Sequence, residues 1–132
     1  MQPLSPDILN TIATWPPHAQ QLLLNARTVL FDVADASPAT QLSETLKWGE
    51  PAWRPHKGGP TLRMSWKADL GALGLFVDCK TDLCARMQSD FPDAFRYNAP
   101  RALYLVANAA LPVDALRHLA NMAFRYKRVL PV

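Results

Sequence analysis

The chain has 132 residues, 49% of them apolar, which is typical of one globular domain with its own core. It carries 14 Lys and Arg residues against 11 Asp and Glu residues, a net charge of +3. Because basic and acidic residues alternate along most of the chain, we expect no nucleic-acid partner. No apolar run approaches the roughly 20 residues that cross a bilayer, and residues 1–7 lack the pattern of a secretory signal. We therefore expect a cytoplasmic protein without membrane contact.

Two helices are predicted in the first third of the chain. Ser5-Pro6 is a typical helix start, because serine caps the first amides and proline needs no donor there. A short helix from Pro6 to Thr14 follows. Between His18 and Ala34, apolar residues recur every three or four positions, which predicts an amphipathic helix.

A short third helix is predicted next. Ser37-Pro38 repeats the start signal, and Leu42 and Leu46 lie one helical turn apart. Gly49 and Pro51 would then end this helix and turn the chain into the sheet.

The middle of the chain predicts strands. Thr61–Lys67 alternates apolar and polar residues, the pattern of a half-buried strand. Leu73–Asp78, Phe95–Tyr97 and Ala102–Ala107 are further strand candidates, and Leu83–Phe91 has helical spacing. Short connections between these strands favour antiparallel pairing.

Pro112 opens a last helix, with Asp114 in its first turn. Arg117, Arg125 and Arg128 lie opposite its apolar stripe, and we interpret them as a solvated face rather than as phosphate ligands. The whole order predicts an α+β fold, in which a mainly antiparallel sheet of about five strands is covered on one face by N- and C-terminal helices. The second face of the sheet would be open to water or to a ligand.

Several stretches of the chain resemble the YdhG-like family, domain of unknown function 1801. They are Leu46–Trp53, Lys57–Lys67, Phe95–Tyr97 and Arg101–Tyr104. The likeness extends over residues 17–127 and implies a helix-sheet-helix sandwich similar to that of frataxin. One branch of the family has been proposed to act as an iron chaperone, so the resemblance also implies metal handling as an alternative function. Frataxin-type iron binding uses clustered carboxylates on the first long helix, where this chain offers Asp32 and little else.

Cysteine and histidine spacing predicts no metal site and no cofactor. Cys79 and Cys84 match neither a Cys-x-x-Cys redox motif nor half of a zinc site, and we interpret them as reduced thiols. His18, His56 and His118 are scattered along the chain without ligands at suitable spacing.

Tryptophans near the Trp-Gly-Glu-Pro motif are the best indication of a ligand site. Trp48, Trp53 and Trp66 could line a pocket with cations at its rim, which suits an anionic or planar small molecule. Alternatively the indoles close the core, the interpretation favoured for Trp48 and left open for the other two. The predicted ligand-binding residues are Glu50, Trp53, Arg54, Arg63, Trp66 and Lys67.

Glu50 is interpreted as a surface carboxylate paired with Lys47, Arg54 or Lys67. The leading functional hypothesis is a small binding module without catalytic activity, which holds a small molecule or a protein partner near Glu50. Iron handling is one alternative, and an enzyme that uses Glu50 or His56 as a general base is another. The sequence does not predict an oligomeric state.

Overall fold

The computed structural model describes residues 1–37, 40–106 and 109–126. Its elements in chain order are α1 (Pro6–Ile12), α2 (Pro17–Asp35), β1 (Leu42–Lys47), β2 (Glu50–Pro55), β3 (Leu62–Lys67), β4 (Ala72–Phe76), α3 (Leu83–Asp90), β5 (Arg96–Asn98), β6 (Ala102–Val106) and α4 (Val113–Phe124). These strands form one antiparallel sheet in the order β1-β2-β3-β4-β6-β5. The arrangement confirms the predicted α+β class. Pro38, Ala107 and Arg128, on which predictions also fell, lie outside the described residues.

The four described helices contribute to one core that lies against one face of the sheet. Side chains of a strand alternate between the two faces, so every second strand residue enters this core. Its members include Ile8 and Ile12 of α1, Leu23 and Leu30 of α2, Leu73 and Leu75 of β4, Leu83 and Met87 of α3, and Leu116 and Leu119 of α4. None of these four helices is long and apolar enough to cross a membrane.

The helices begin close to where the sequence predicts. The Ser5 hydroxyl oxygen accepts a hydrogen bond from the backbone amide of Asp7 at 3.3 Å, which caps α1. Pro17 occupies the first turn of α2, where its missing amide proton leaves no acceptor unsatisfied. The apolar stripe of α2 is buried as predicted, from Ala19 to Ala34.

The predicted third helix over Leu42 and Leu46 is wrong, because these residues belong to β1. Residues four apart lie on the same side of a strand as well as of a helix, so their spacing does not separate the two. Every residue of β1 pairs with one of β2, from Leu42 opposite Pro55 to Lys47 opposite Glu50. The described sheet therefore has six strands rather than about five.

Trp48 and Gly49 form the turn of the β1–β2 hairpin. Both have positive φ, 56° and 74° respectively, and a two-residue loop of this geometry is a type I′ turn, whose twist matches the flanking strands. Gly49 thus joins two strands rather than ending a helix. Pro51, which was also expected to end the helix, lies within β2 opposite Leu46.

A buried ion pair connects α2 to the β1–β2 hairpin. Arg27 donates from Nε to one carboxylate oxygen of Glu44 at 2.5 Å and from a terminal nitrogen to the other at 3.0 Å. The indole nitrogen of Trp53 donates to the same carboxylate at 2.6 Å, and the Gln2 carbonyl accepts from Arg27 at 2.7 Å. The Glu44 side chain is 0% exposed, so its charge depends on these donors in place of water. The guanidinium also lies 4.8 Å from the centre of the Phe31 ring.

Arg27→Met should lower the free energy of unfolding by about 3–5 kcal/mol, because it leaves a buried carboxylate without its counter-charge. The double variant with Glu44→Met should lose less, since no unpaired charge remains. Urea unfolding followed by circular dichroism measures both differences. Arg86→Met is the matched control, because its exposed ion pair with Asp82 is worth about 1 kcal/mol or less. Equal losses in Arg27→Met and in this control would contradict the prediction.

Tyr97 ties β5 to the end of α3. Its hydroxyl is within donating distance of two carbonyl oxygens. That of Phe91 is 2.5 Å away and that of Met87 is 3.0 Å away. Burial, with a smaller electrostatic contribution from Cys84, raises the pKa of Tyr97 from 10.0 to about 12. Folding therefore favours the protonated phenol.

The stabilisation from Tyr97 should be fully present below pH 10 and fall as the pH rises toward about 12. In that window the unfolded chain loses the phenolic proton while the folded chain keeps it, so the free energy of unfolding declines. In urea titrations, the free energies of unfolding of the native chain and of Tyr97→Phe should differ less as the pH rises from 10.0 toward about 12. A difference that stays constant would show that the phenol ionises equally in both states.

Candidate functional site

The face of the sheet opposite the core carries four of the six predicted site residues. Register and alternation place Glu50 and Arg54 of β2, with Arg63 and Lys67 of β3, on this side. We call it the open face, because the described helices contribute to the core on the other side. It consists of Ser43, Thr45, Lys47, Glu50, Ala52, Arg54, Arg63, Ser65, Lys67, Ala72, Gly74, Phe76, Arg96, Asn98, Ala102, Tyr104 and Val106.

Glu50 forms an ion pair with Arg63 on the neighbouring strand. Ala52 is directly opposite Arg63, so Glu50 is its diagonal neighbour, within reach of a long side chain. The predicted partners Lys47, Arg54 and Lys67 are thus wrong. Both side chains are partly buried, 20% exposed for Glu50 and 25% for Arg63. The pair therefore has a more defined geometry than a fully solvated one.

An aromatic ring supports two cations at the centre of the open face. The guanidinium of Arg63 lies 5.4 Å and the ammonium of Lys67 5.3 Å from the centre of the Phe76 ring, both within cation-π range. Tyr104 meets Phe76 edge-on at 6.3 Å. Gly74 makes room for this ring, since a Cβ atom there would lie 2.6 Å from a Phe76 ring carbon. The ring thus holds both cations over the sheet.

Trp48 is 83% exposed at the tip of the β1–β2 hairpin. The interpretation that it closes the core is wrong, because the hairpin turn holds the indole outside the core. Trp48 instead lines a cleft of about 410 Å³ beside the open face. The other residues that line this hairpin cleft are Lys47, Arg54, Gly59, Pro60, Thr61, Arg63, Val77 and Asp78.

Trp53 and Trp66 do not join the other predicted site residues. Trp53 is 0% exposed, and its indole nitrogen donates a hydrogen bond to Glu44 within the core. Trp66 is half-buried on the core side, where it packs edge-on against His18 with ring centres 5.4 Å apart. The predicted pocket between three indoles therefore does not form, because strand alternation sends Trp53 and Trp66 to the face opposite Arg54, Arg63 and Lys67.

Lys47, Phe76 and Tyr104 belong to the same surface but are absent from the predicted site residues. Alternation along β1 would have placed Lys47 on the same face as Arg54, but the Leu42 and Leu46 spacing suggested a helix there. The β4 segment is a nearly continuous apolar run, in which Phe76 does not stand out as outward-facing. The signal that could have found it is Gly74, two residues earlier on the same face.

The candidate bases Glu50 and His56 are not brought together. They lie at opposite ends of β2, about 20 Å apart along an extended strand. His56 is exposed and lines a separate cleft with Met1, Asp35 and other residues. Within residues 1–37, 40–106 and 109–126, no group of three or more His, Cys, Asp or Glu side chains is arranged to hold a metal ion. Cys79 and Cys84 are free thiols, as predicted.

No family model, curated protein or solved structure matches the chain. The YdhG-like resemblance and the frataxin-like sandwich accordingly stay predictions.

Trp48→Asn should leave the free energy of unfolding unchanged or raise it by up to about 1 kcal/mol, since asparagine tolerates positive φ and no buried contact is lost. Trp53→Phe should lower it by about 1–3 kcal/mol, because the buried Glu44 carboxylate loses a donor. Urea unfolding of both variants tests this contrast. An equal loss in the two variants would show that the Trp48 indole is packed against the protein.

Proposed function

We propose that the protein is a non-catalytic binding module that holds a planar, anionic ligand in the hairpin cleft. The observation that carries this proposal is Trp48. A bulky residue at positive φ costs about 1–2 kcal/mol, and an indole that is 83% exposed recovers little of this cost through burial. Asparagine or glycine would form the same turn without strain. A residue that strains the fold and packs against little supports a role in binding.

The charges beside Trp48 favour an anion as the ligand. Lys47 and Arg54 are exposed, and Arg63 is held by Glu50 and by the Phe76 ring. Asp78 also lines the cleft. The three cations Lys47, Arg54 and Arg63 outnumber the two carboxylates of Asp78 and Glu50, so the cleft and its immediate surroundings keep an excess of positive charge.

The arrangement supports binding rather than catalysis. The carboxylate of Glu50, the candidate base, accepts a hydrogen bond from the Arg63 guanidinium, so its lone pairs are engaged within the protein. The Trp48 indole and the Arg54 guanidinium have the chemistry that recognises an aromatic ring and an attached anionic group, by stacking and by paired hydrogen bonds. Nucleoside monophosphates combine both features and are suitable probes.

Adenosine monophosphate should quench tryptophan fluorescence, because Trp48 is the exposed indole among the four in the chain. Trp48→Ala should abolish the quenching, and Arg54→Gln should weaken binding about tenfold, a loss of about 1.4 kcal/mol. Arg86→Gln removes the same charge from α3 and should leave the affinity unchanged. Adenosine, which lacks the phosphate, should bind more weakly. Equal binding of adenosine and its monophosphate, or quenching that survives Trp48→Ala, would contradict the proposal.

A further inference from the structure

The positive charge of the protein is concentrated on the open face. Five basic residues point outward from its strands, Lys47, Arg54, Arg63, Lys67 and Arg96, against the single carboxylate of Glu50. This face therefore has an excess of four positive charges, whereas the whole chain has a net charge of +3. The remainder of the chain is close to neutral, so the open face accounts for the charge excess.

The linear order of the sequence does not show that the basic residues gather on one face of the sheet. Basic and acidic residues alternate along the chain, and the expectation of no nucleic-acid partner depended on that order. In a strand, however, positions two apart share a face. Arg63 and Lys67 point outward from β3, while the acidic Glu44 of β1 points into the core. Charged residues of opposite sign that alternate along the sequence can therefore lie on different faces of the folded sheet.

The charged positions extend across the whole sheet. Lys47 lies on β1 and Arg96 on β5, the two edge strands. Strands about 4.8 Å apart place these edges roughly 24 Å from each other. A nucleoside monophosphate in the hairpin cleft cannot reach Arg96, whereas a chain of several phosphates can cross from one edge to the other.

We infer that the open face binds single-stranded nucleic acid, with one base stacked on Trp48 in the hairpin cleft and the phosphates crossing the strands toward Arg96. Proteins that bind single strands without sequence preference combine a positive surface with exposed aromatic side chains. Stacking on Trp48 distinguishes this ligand from an acidic peptide, which offers charge without aromatic bases. The inference rests on the proposed function for the base at Trp48 and extends it to the rest of the face.

Loop carboxylates border this surface and limit the path of the strand. Asp69 lies in the β3–β4 turn, Asp78 lines the hairpin cleft, and Asp93 lines a second cleft with Arg96 and Tyr104. Their repulsion disfavours phosphates along the rim and favours a path over Arg63 and Lys67. The Phe76 ring is already covered by these two cations, so it positions charge rather than stacking a base.

Fluorescence anisotropy with labelled oligothymidylates of about 4 and 12 nucleotides tests the inference on the full chain. The longer strand should bind more tightly, and log affinity should fall with log salt by about 0.7 per phosphate contacted. Arg96→Gln should weaken oligonucleotide binding roughly five- to tenfold at low salt and reduce this slope by about 0.7. The same variant should leave adenosine monophosphate affinity unchanged, because Arg96 lies outside the hairpin cleft.

Arg86→Gln on α3 is the matched control and should change neither affinity. Circular dichroism melting confirms that each variant is folded. If adenosine monophosphate binds but the 12-nucleotide strand binds no more tightly than the 4-nucleotide strand, the inference fails and the proposed function stands. If neither ligand binds, both fail. Competition by polyglutamate as effective as that by oligothymidylate would show that the face accepts any polyanion, which overturns the assignment to nucleic acid.

Discussion

The ion pair between Arg27 and Glu44 is the interaction on which the arrangement of the hairpin depends. It joins α2 to β1 inside the core, and the Trp53 indole joins β2 to the same carboxylate. A shift of β1 by one residue would turn Glu44 to the open face and bring Lys47 toward the core. The buried charge therefore specifies the register of β1. This register also determines where Lys47 and Trp48 emerge, so a contact within the core sets the geometry of the candidate site.

The two faces of the sheet have different chemistry because the helices cover one of them. On the core face, Trp53 and Trp66 bury their rings. On the open face, Arg63 and Lys67 are held by Phe76, whose ring in turn requires the missing side chain of Gly74. The cations at the centre of this face are thus positioned before any ligand arrives, which lowers the ordering cost of binding.

Both functional proposals depend on the same exposed residue and differ in how much of the surface they use. The first assigns a single nucleotide-sized anion to the hairpin cleft, and the second assigns a polymer of such units to the full width of the sheet. Trp48 and Arg54 belong to both proposed sites, whereas Arg96 on the far edge strand belongs to the proposed polymer site alone. Variants at these positions therefore separate the two proposals.

The sequence by itself determined the α+β class, the starts of α1 and α2 and the period-two pattern of β3. Each of these depends on local spacing, which reports periodicity directly. Only the tertiary structure decided that β1 is a strand, that Trp53 is buried and that Trp48 is exposed. The reason is that burial depends on partners distant in the chain: Arg27 lies 17 residues from Glu44, and Trp53 lies 9. A local pattern shows which residues share a face but does not show which face the helices will cover.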